Sequence, residues 1–533
     1  MAQIRYRGNL SAKDFVFTSQ DWGRSVIMKQ YDQNFSRQIV SPTDPDKDIG
    51  IPQIFYGHNI MPGAQGFQSV GLTEIVNNNA ILYPTTVQVL RWTNNSAVWG
   101  YFLITFVSST SNTETYNIYS MTPGITNWTS LGQVTIPTNA TTLNARFTAV
   151  TINGLTYFLA PGLACYTYDG TTWQQITLTG LDITKVSGIT ESFGYMIAWG
   201  TSTLSWSSTV SPTDFTPSLI TGAGGGAIQG LKGAITFVSH HVFGFVAFSS
   251  VNAVAGVYSG NARYPFNFRE IIGCGGLSGS FTECVSLDSE TGNLYAFTTA
   301  GMQLVSVTQA QVIFPELTNF LAGSRFEDFN DATLQFSTTD VVSGGIFKQI
   351  NVIANRYLVI SYGVTAGFPT VFTHALVYDI AMKRWGKLKF THVQAVEYLS
   401  APGGNFLGTQ DLARSSLCLM DPNSNLWQVD FTQAATTGGT IILGKYQHAR
   451  DRLITLDQVD IEYIPQTAHI PAVNVFTTYD GKTFQLPVAL TPIAATNAPQ
   501  YPCRTTGMNH SICIQGIFRL DSIMLTYHPS GRR

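Results

Sequence analysis

The stretch Tyr166-Thr167-Tyr168-Asp169-Gly170-Thr171-Thr172-Trp173-Gln174 decides how the chain is read. An aromatic and β-branched run enters a tight Asp-Gly turn and leaves it on a tryptophan. Glycine supplies the positive φ that such a turn needs. The same order recurs where Ile118-Tyr119 is followed by Trp128, where Leu376-Val377-Tyr378-Asp379 is followed by Trp385, and where Leu419-Met420-Asp421 is followed by Trp427. Each instance reads as the outer hairpin of a propeller blade. The tryptophan is expected to pack between blades, because one sheet cannot bury both its faces alone.

Short apolar runs fill the sequence between these hairpins. They include Val98–Val107, Leu155–Leu159, Tyr195–Trp199, Ala234–Val238, Val242–Phe248, Leu294–Phe297, Tyr357–Ser361 and His374–Tyr378. Turn residues bound each of them, which is the pattern of strands rather than helices. The spacing predicts roughly six blades of about 45–55 residues. The expected class is all-β: residues 1–95 an N-terminal docking or platform segment, 96–432 a β-propeller, and 433–533 a C-terminal β-sandwich. The small-residue run Gln433–Thr440 reads as the linker between the last two.

Composition agrees with that class and excludes others. The 533 residues carry 11% charged side chains, 44% hydrophobic ones and 48 glycines. A disordered chain needs low hydrophobicity and high net charge, and a helical bundle needs abundant Glu, Lys, Arg and Leu. The 29 Lys+Arg and 32 Asp+Glu leave a net charge of −3, with no basic excess for gripping nucleic acid. Charge is concentrated in the first 60 residues, around Arg5, Arg7, Arg24 and Arg37. The start of the sequence shows no signal peptide, and no uninterrupted apolar run is long enough for a membrane-spanning helix. The six cysteines lack Cys-x-x-Cys spacing. Cys274/Cys284 and Cys503/Cys513 could face each other across hairpins, but free buried thiols are the expectation in a reducing compartment.

A search for chemistry returns structural readings. Asp44, Asp46 and Asp48 precede Gly50, which falls at the wrong position for a calcium loop. The glycines of Thr221–Ile228 lack the strand–helix context of a phosphate-binding loop, and read as a long propeller connection. His240 and His241 are adjacent on a strand, so they face opposite sides and cannot share a metal. Gly276-Leu277-Ser278-Gly279-Ser280 departs from the nucleophile elbow at its fifth position. The pairs Glu327/Asp328 and Asp288/Glu290 have no assignable base beside them. The reading is therefore non-enzymatic, with no catalytic, cofactor-binding or metal residues and no cofactor.

Four ordered stretches carry a family resemblance. They are Met61-Pro62-Gly63-Ala64-Gln65-Gly66-Phe67 through Gly71-Leu72; Tyr195–Trp199 with Leu204–Ser208, Pro212–Pro217 and Thr221–Gly224; Val257–Gly260 with Pro265–Ile271 and Gly273-Cys274; and Leu376–Asp379 with Arg384–Leu388 and His392-Val393. In this order they resemble the tail nozzle, or tail tube, proteins of short-tailed bacteriophages. The resemblance spans about 60–430 and leaves both ends uncovered. It implies a virion protein made in the host cytoplasm, assembled as a homo-hexamer below the portal and the adaptor (head-to-tail connector) ring. It further implies docking of tail fibres or spikes, a channel for viral double-stranded DNA, and gating of genome ejection. The alternative reading is a receptor- or carbohydrate-binding tail adhesin, which would show exposed aromatic platforms. A glycan-cleaving propeller would instead need clustered carboxylates in a pocket.

Overall fold

The computed structural model describes residues 4–8, 54–62, 67–77, 81–122, 127–137, 146–261, 263–277, 285–288, 291–314, 349–365, 371–381, 384–399, 415–430, 438–447, 452–463, 470–479, 485–493 and 500–532. Among the described residues, five strands precede the first blade: β1 (Ile4–Gly8), β2 (Ile54–His58), β3 (Ile60–Pro62), β4 (Phe67–Ser69) and β5 (Gly71–Val76). Seven four-stranded antiparallel units follow. Blade 1 is β6 (Thr86–Thr93), β7 (Trp99–Ser109), β8 (Thr113–Met121) and β9 (Thr129–Pro137). Blade 2 is β10 (Thr148–Ile152), β11 (Leu155–Ala160), β12 (Ala164–Tyr168) and β13 (Trp173–Ile176). Blade 3 is β14 (Gly188–Ser192), β15 (Tyr195–Trp199), β16 (Leu204–Trp206) and β17 (Gly224–Gly226). Blade 4 is β18 (Ile235–His241), β19 (Gly244–Ser249), β20 (Ala253–Tyr258) and β21 (Phe266–Glu270).

Blade 5 is β22 (Val285–Leu287), β23 (Leu294–Thr298), β24 (Gly301–Val305) and β25 (Ala310–Val312). Blade 6 is β26 (Gln349–Ile353), β27 (Tyr357–Thr365), β28 (Val371–Asp379) and β29 (Arg384–His392). Blade 7 is β30 (Gln394–Leu399), β31 (Ser415–Met420) and β32 (Leu426–Asp430), completed by β5 from the N-terminal side. The first strands pack in sequence around a common axis, and β30 returns to β6 to close the ring. The fold is an all-β propeller with an attached β-sandwich, as the sequence indicated.

Among the described residues the ring has seven blades rather than about six. The boundary expected at 95/96 falls between β6 and β7, inside blade 1. The closing strand β5 also comes from the supposed platform segment: Gly71 pairs with Asp430 and Val76 with Leu426. This joins the two ends of the propeller by a hydrogen-bonded ladder.

Burial explains the apolar runs. The second strands β15, β19 and β23 are buried throughout, because each lies between the faces of two neighbouring blades. Fully burying one large apolar side chain contributes about 1.5–3 kcal/mol. The hairpin tryptophans then bridge blades. Trp173 packs on Phe102 of blade 1 at 5.7 Å, Trp385 on Phe314, just after β25 of blade 5, at 5.0 Å, and Trp427 on Phe390 of blade 6 at 5.5 Å. Trp128 shares a core cluster with Tyr398 and Met420 of blade 7. Three of the four Trp hairpins join third and fourth strands. The Asp421/Trp427 hairpin joins the second and third, because β5 supplies the fourth.

Glycine serves a packing purpose within the blades. Trp92 lies across from Gly100, Trp199 from Gly188, Trp206 from Gly224 and Phe245 from Gly256. A Cβ at Gly100, Gly188 or Gly256 would strike the opposite ring. The aromatic ring thus folds over the bare backbone of its cross-strand partner.

The C-terminal strands are β33 (Gly439–Gln447), β34 (Arg452–Tyr463), β35 (Ala472–Thr478), β36 (Val488–Leu490), β37 (Gln500–Gly507), β38 (Asn509–Gly516) and β39 (Arg519–Arg532). They form a sandwich whose one sheet runs β2-β33-β38-β35-β36. The other sheet runs β4-β39-β34-β37, with β1 also paired to β39. Its core sets Ile441, Val475 and Ile512 with Leu456, Val459 and Tyr501. The sandwich is not independent of the propeller. β29 of blade 6 pairs with β3, β3 with β4, and β4 with β39, so one sheet runs from blade 6 into the sandwich. Ser69 fixes the crossing: its hydroxyl donates to the Phe518 carbonyl at 3.2 Å and accepts from the Phe518 N–H at 2.8 Å.

Candidate functional site

Most of the residues singled out in the sequence resolve into structural roles. Asp169 accepts hydrogen bonds from the Thr171 and Thr172 N–H groups and the Thr171 hydroxyl, which hold its carboxyl down at about 2. It closes a turn. Asp288 is buried and accepts from the Thr291 hydroxyl at 2.8 Å. Gly224–Gly226 is the fourth strand of blade 3, not a connection. Cys165, Cys274, Cys418, Cys503 and Cys513 are buried free thiols, and burial pushes the first four up to about 12. Asp44, Asp46, Asp48, Arg24, Arg37, Ser278, Ser280, Cys284, Glu290, Glu327 and Asp328 lie outside the described residues. Among the described residues no three His, Cys, Asp or Glu side chains gather as metal ligands, and no helix is long and apolar enough to cross a membrane.

Two places concentrate polar groups. The first is the set of junctions between blades, where uncharged side chains satisfy backbone groups of the next blade. Gln88 donates from Nε2 to the Phe147 carbonyl at 3.0 Å and accepts the Phe147 N–H on Oε1 at 3.1 Å. Thr156 accepts the Thr93 N–H at 3.0 Å and donates back to the Thr93 carbonyl at 2.9 Å. Thr148 accepts the Ile189 N–H, and Ser286 the Val352 N–H. At the seam between blades 7 and 1, Gln394 accepts the Val89 N–H at 2.9 Å, and Arg91 pairs with Glu397 at 3.5 Å. Ser424 donates to the Pro84 carbonyl and accepts from the Thr86 hydroxyl. A buried backbone group without a partner is costly. The Thr, Ser and Gln side chains make these contacts without burying charge, in keeping with the low charge content.

Gln88→Leu tests this role. The substitution is expected to strand the buried N–H and C=O of Phe147 and to cost roughly 1–3 kcal/mol for each. The change in urea midpoint measures it; a loss below about 0.5 kcal/mol would mean that water replaces the amide.

The second place is one end of blades 3 and 4. In an antiparallel four-stranded blade the turn between strands one and two and the turn between strands three and four lie at the same end. Phe193 tips the β14–β15 turn and Phe243 the β18–β19 turn, while Tyr264 lies in the β20–β21 connection. They are 47%, 59% and 68% exposed. Phe193 stacks on Tyr258, at the end of β20, with centroids 4.3 Å apart and planes at 14°. The Tyr258 N–H donates to the Phe243 carbonyl at 3.0 Å, so the two turns are tied through Tyr258.

Glu191 and His240 stand beside the Phe193 turn on β14 and β18, and the His241 ring lies 5.7 Å from that of Phe243. Glu191 Oε1 accepts the Gly194 N–H at 2.9 Å, which anchors the Phe193 turn. His240 Nδ1 lies 2.7 Å from the Glu191 carbonyl and 3.3 Å from its Oε2. Both neighbours are acceptors, so Nδ1 carries a proton. His241 points the other way and is buried, and desolvation pulls it down to about 4. The Tyr264 connection is held by Ser259, Asn261 and Pro265: the Ser259 N–H donates to the Pro265 carbonyl, and Asn261 Oδ1 accepts the Arg263 N–H. Sequence reasoning separated His240 from His241 correctly but missed the aromatic rim. The alternation of Val242–Phe248 reads as a single strand, whereas Val242 and Phe243 form the turn and β19 begins at Gly244.

No protein-family model matches the chain, and no curated protein matches it. Solved structures similar in outline include a chain of the mitotic checkpoint complex, at 10% identity over 68% of this chain and 94% of that one, with a TM-score of 0.32. Another is the computationally designed Ika8 protein, at 8% identity over 67% of this chain and 99% of that one, with a TM-score of 0.34.

Proposed function

We propose that this chain is a structural, non-catalytic virion protein: the tail nozzle subunit of a short-tailed bacteriophage. It assembles as a homo-hexamer beneath the portal and adaptor ring, extends the channel for viral double-stranded DNA, docks fibres or spikes, and gates ejection. It is made in the host cytoplasm and acts in the virion tail. The observation that carries this reading is the order of the four resembling stretches along one fold. The first covers β3, β4 and β5, which link the sandwich and close the propeller. The second falls on blade 3, the third on blade 4 and the fourth on blade 6.

Two physical features support it. A net charge of −3 over 533 residues suits a conduit, since Lys and Arg contacts to phosphate would hold DNA in a salt-dependent grip. The sheet that runs unbroken from blade 6 into the sandwich suits a part under load, because the two bodies cannot separate without breaking strand pairing. Ring closure requires a heterologous interface that returns on itself. Native mass spectrometry of the chain with its adaptor is expected to show a particle of about 350 kDa, six copies of the 58.2 kDa chain, in addition to the adaptor. Monomers alone, with the adaptor present, would overturn the reading.

A further inference from the structure

The rim of blades 3 and 4 has a composition unlike a simple apolar contact. Phe193 and Phe243 are exposed although neither has a polar handle that water could engage. Each sits on a two-residue turn fixed by backbone bonding, and Gly194 and Gly244 take φ of 82° and 150°. The rings therefore stand on rigid supports. Beside the Phe193 turn are the imidazole of His240 and a carboxylate, Glu191, whose Oε1 is engaged with Gly194 and whose Oε2 faces His240, while Phe243 lies against the His241 ring at 5.7 Å.

Exposed aromatic faces next to fixed polar groups match a ligand that is apolar on one face and polar around its edge. A pyranose ring has that form: its axial C–H groups lie against an aromatic face, and its hydroxyls project sideways. An aliphatic peptide segment would leave the Glu191–His240 pair desolvated without new partners, at a cost. A strongly charged polymer would find no cluster of one sign here, since Glu191 and His240 are matched to each other and Arg263 stands alone as a cation in the adjoining connection.

We propose that this end of blades 3 and 4 is a glycan-binding site. One sugar ring stacks on Phe193, backed by Tyr258, and a second ring of the same oligosaccharide stacks on Phe243. A hydroxyl bonds to His240 Nε2, and Tyr264 and Asn261 border the site. The site does not require ring assembly, so its failure would leave the tail-nozzle reading standing, and the reverse also holds.

Saturation-transfer NMR of the full-length chain tests it, with maltotriose, cellotriose and chitotriose as probes. Transfer to the ring C–H protons of at least one probe is expected. It should fall at least about fivefold in Phe193→Ala, Phe243→Ala and His240→Ala, the scale of losing one aromatic contact or hydrogen bond. Val251→Ala, an exposed change in the β19–β20 turn at the opposite end of blade 4, should leave it intact, and thermal melting verifies that each variant is folded. No transfer to any probe from the native chain, or equal transfer in all four variants, would overturn the assignment.

Discussion

Acidification from pH 7 to pH 4.5 is expected to lower the urea midpoint steeply, with the largest single share arising at buried histidines. His392 is fully buried in blade 6. Its Nδ1 donates to the Phe390 carbonyl at 2.7 Å, and its Nε2 accepts from the Ser361 hydroxyl at 2.8 Å. Desolvation, aided by nearby His374 but opposed by the Phe390 bond, pulls it from 6.5 down to about 4. His510 in the sandwich is buried likewise and falls to about 4, despite a bond to the Thr505 carbonyl.

Between about 4 and 6.5 the unfolded chain binds protons that the folded chain refuses. Stability is therefore whole above 6.5 and declines as pH falls toward 4. Buried His241 in blade 4 falls to the same value, and each of the three histidines contributes about 3 kcal/mol to that decline, a sizeable part of the 5–15 kcal/mol typical of a domain. Asp169 and Asp182 are held at about 2 by their hydrogen bonds, so their contribution is lost at lower pH, mostly outside this window. His392→Gln is expected to flatten the pH slope whatever it does to the midpoint at pH 7. Equal midpoints at pH 7 and 4.5 in the native chain would contradict the assignment.

Replacing Trp385 by Ala is expected to cost about 3–5 kcal/mol, the range for emptying a buried aromatic site. Trp385 is 1% exposed and packs on Tyr378 at 4.8 Å as well as on Phe314. Its cluster also holds Ile60 from β3 and Leu456 from the sandwich, so the cavity would open where blade 5, blade 6 and the sandwich meet. Its indole N–H is buried with no hydrogen-bond partner. Trp385→Phe keeps most of the volume and removes that unsatisfied donor, so it should cost less than about 2 kcal/mol. Equal losses for Ala and Phe in denaturant titrations would mean that the ring does not fill the junction.

The Trp hairpins were legible because their chemistry is local. An Asp or Gly turn and a tryptophan lie within a few residues, and the tryptophan packs on the preceding blade. The closing strand was not legible, because Gly71 and Asp430 lie at opposite ends of the propeller in sequence. The seventh blade escaped the spacing argument for a related reason. Blade 7 borrows β5, and blade 3 ends on three glycines that carry no side-chain pattern. The aromatic rim had a faint signal, Ser192-Phe193-Gly194-Tyr195 and Val242-Phe243-Gly244-Phe245, two aromatic-Gly tips in successive blades. Each is flanked by apolar strand residues, so alternation alone merges the tip with the strand. The junction amides and hydroxyls were visible as a composition but not as contacts, since Gln88 and Phe147 are brought together by blade stacking.

Electron microscopy of the chain assembled with its adaptor tests the central claim most directly. The tail-nozzle account predicts closed rings of cyclic symmetry with an axial passage wide enough for duplex DNA. Single propellers scattered beside intact adaptor rings, or chains clustered around no passage, would contradict it.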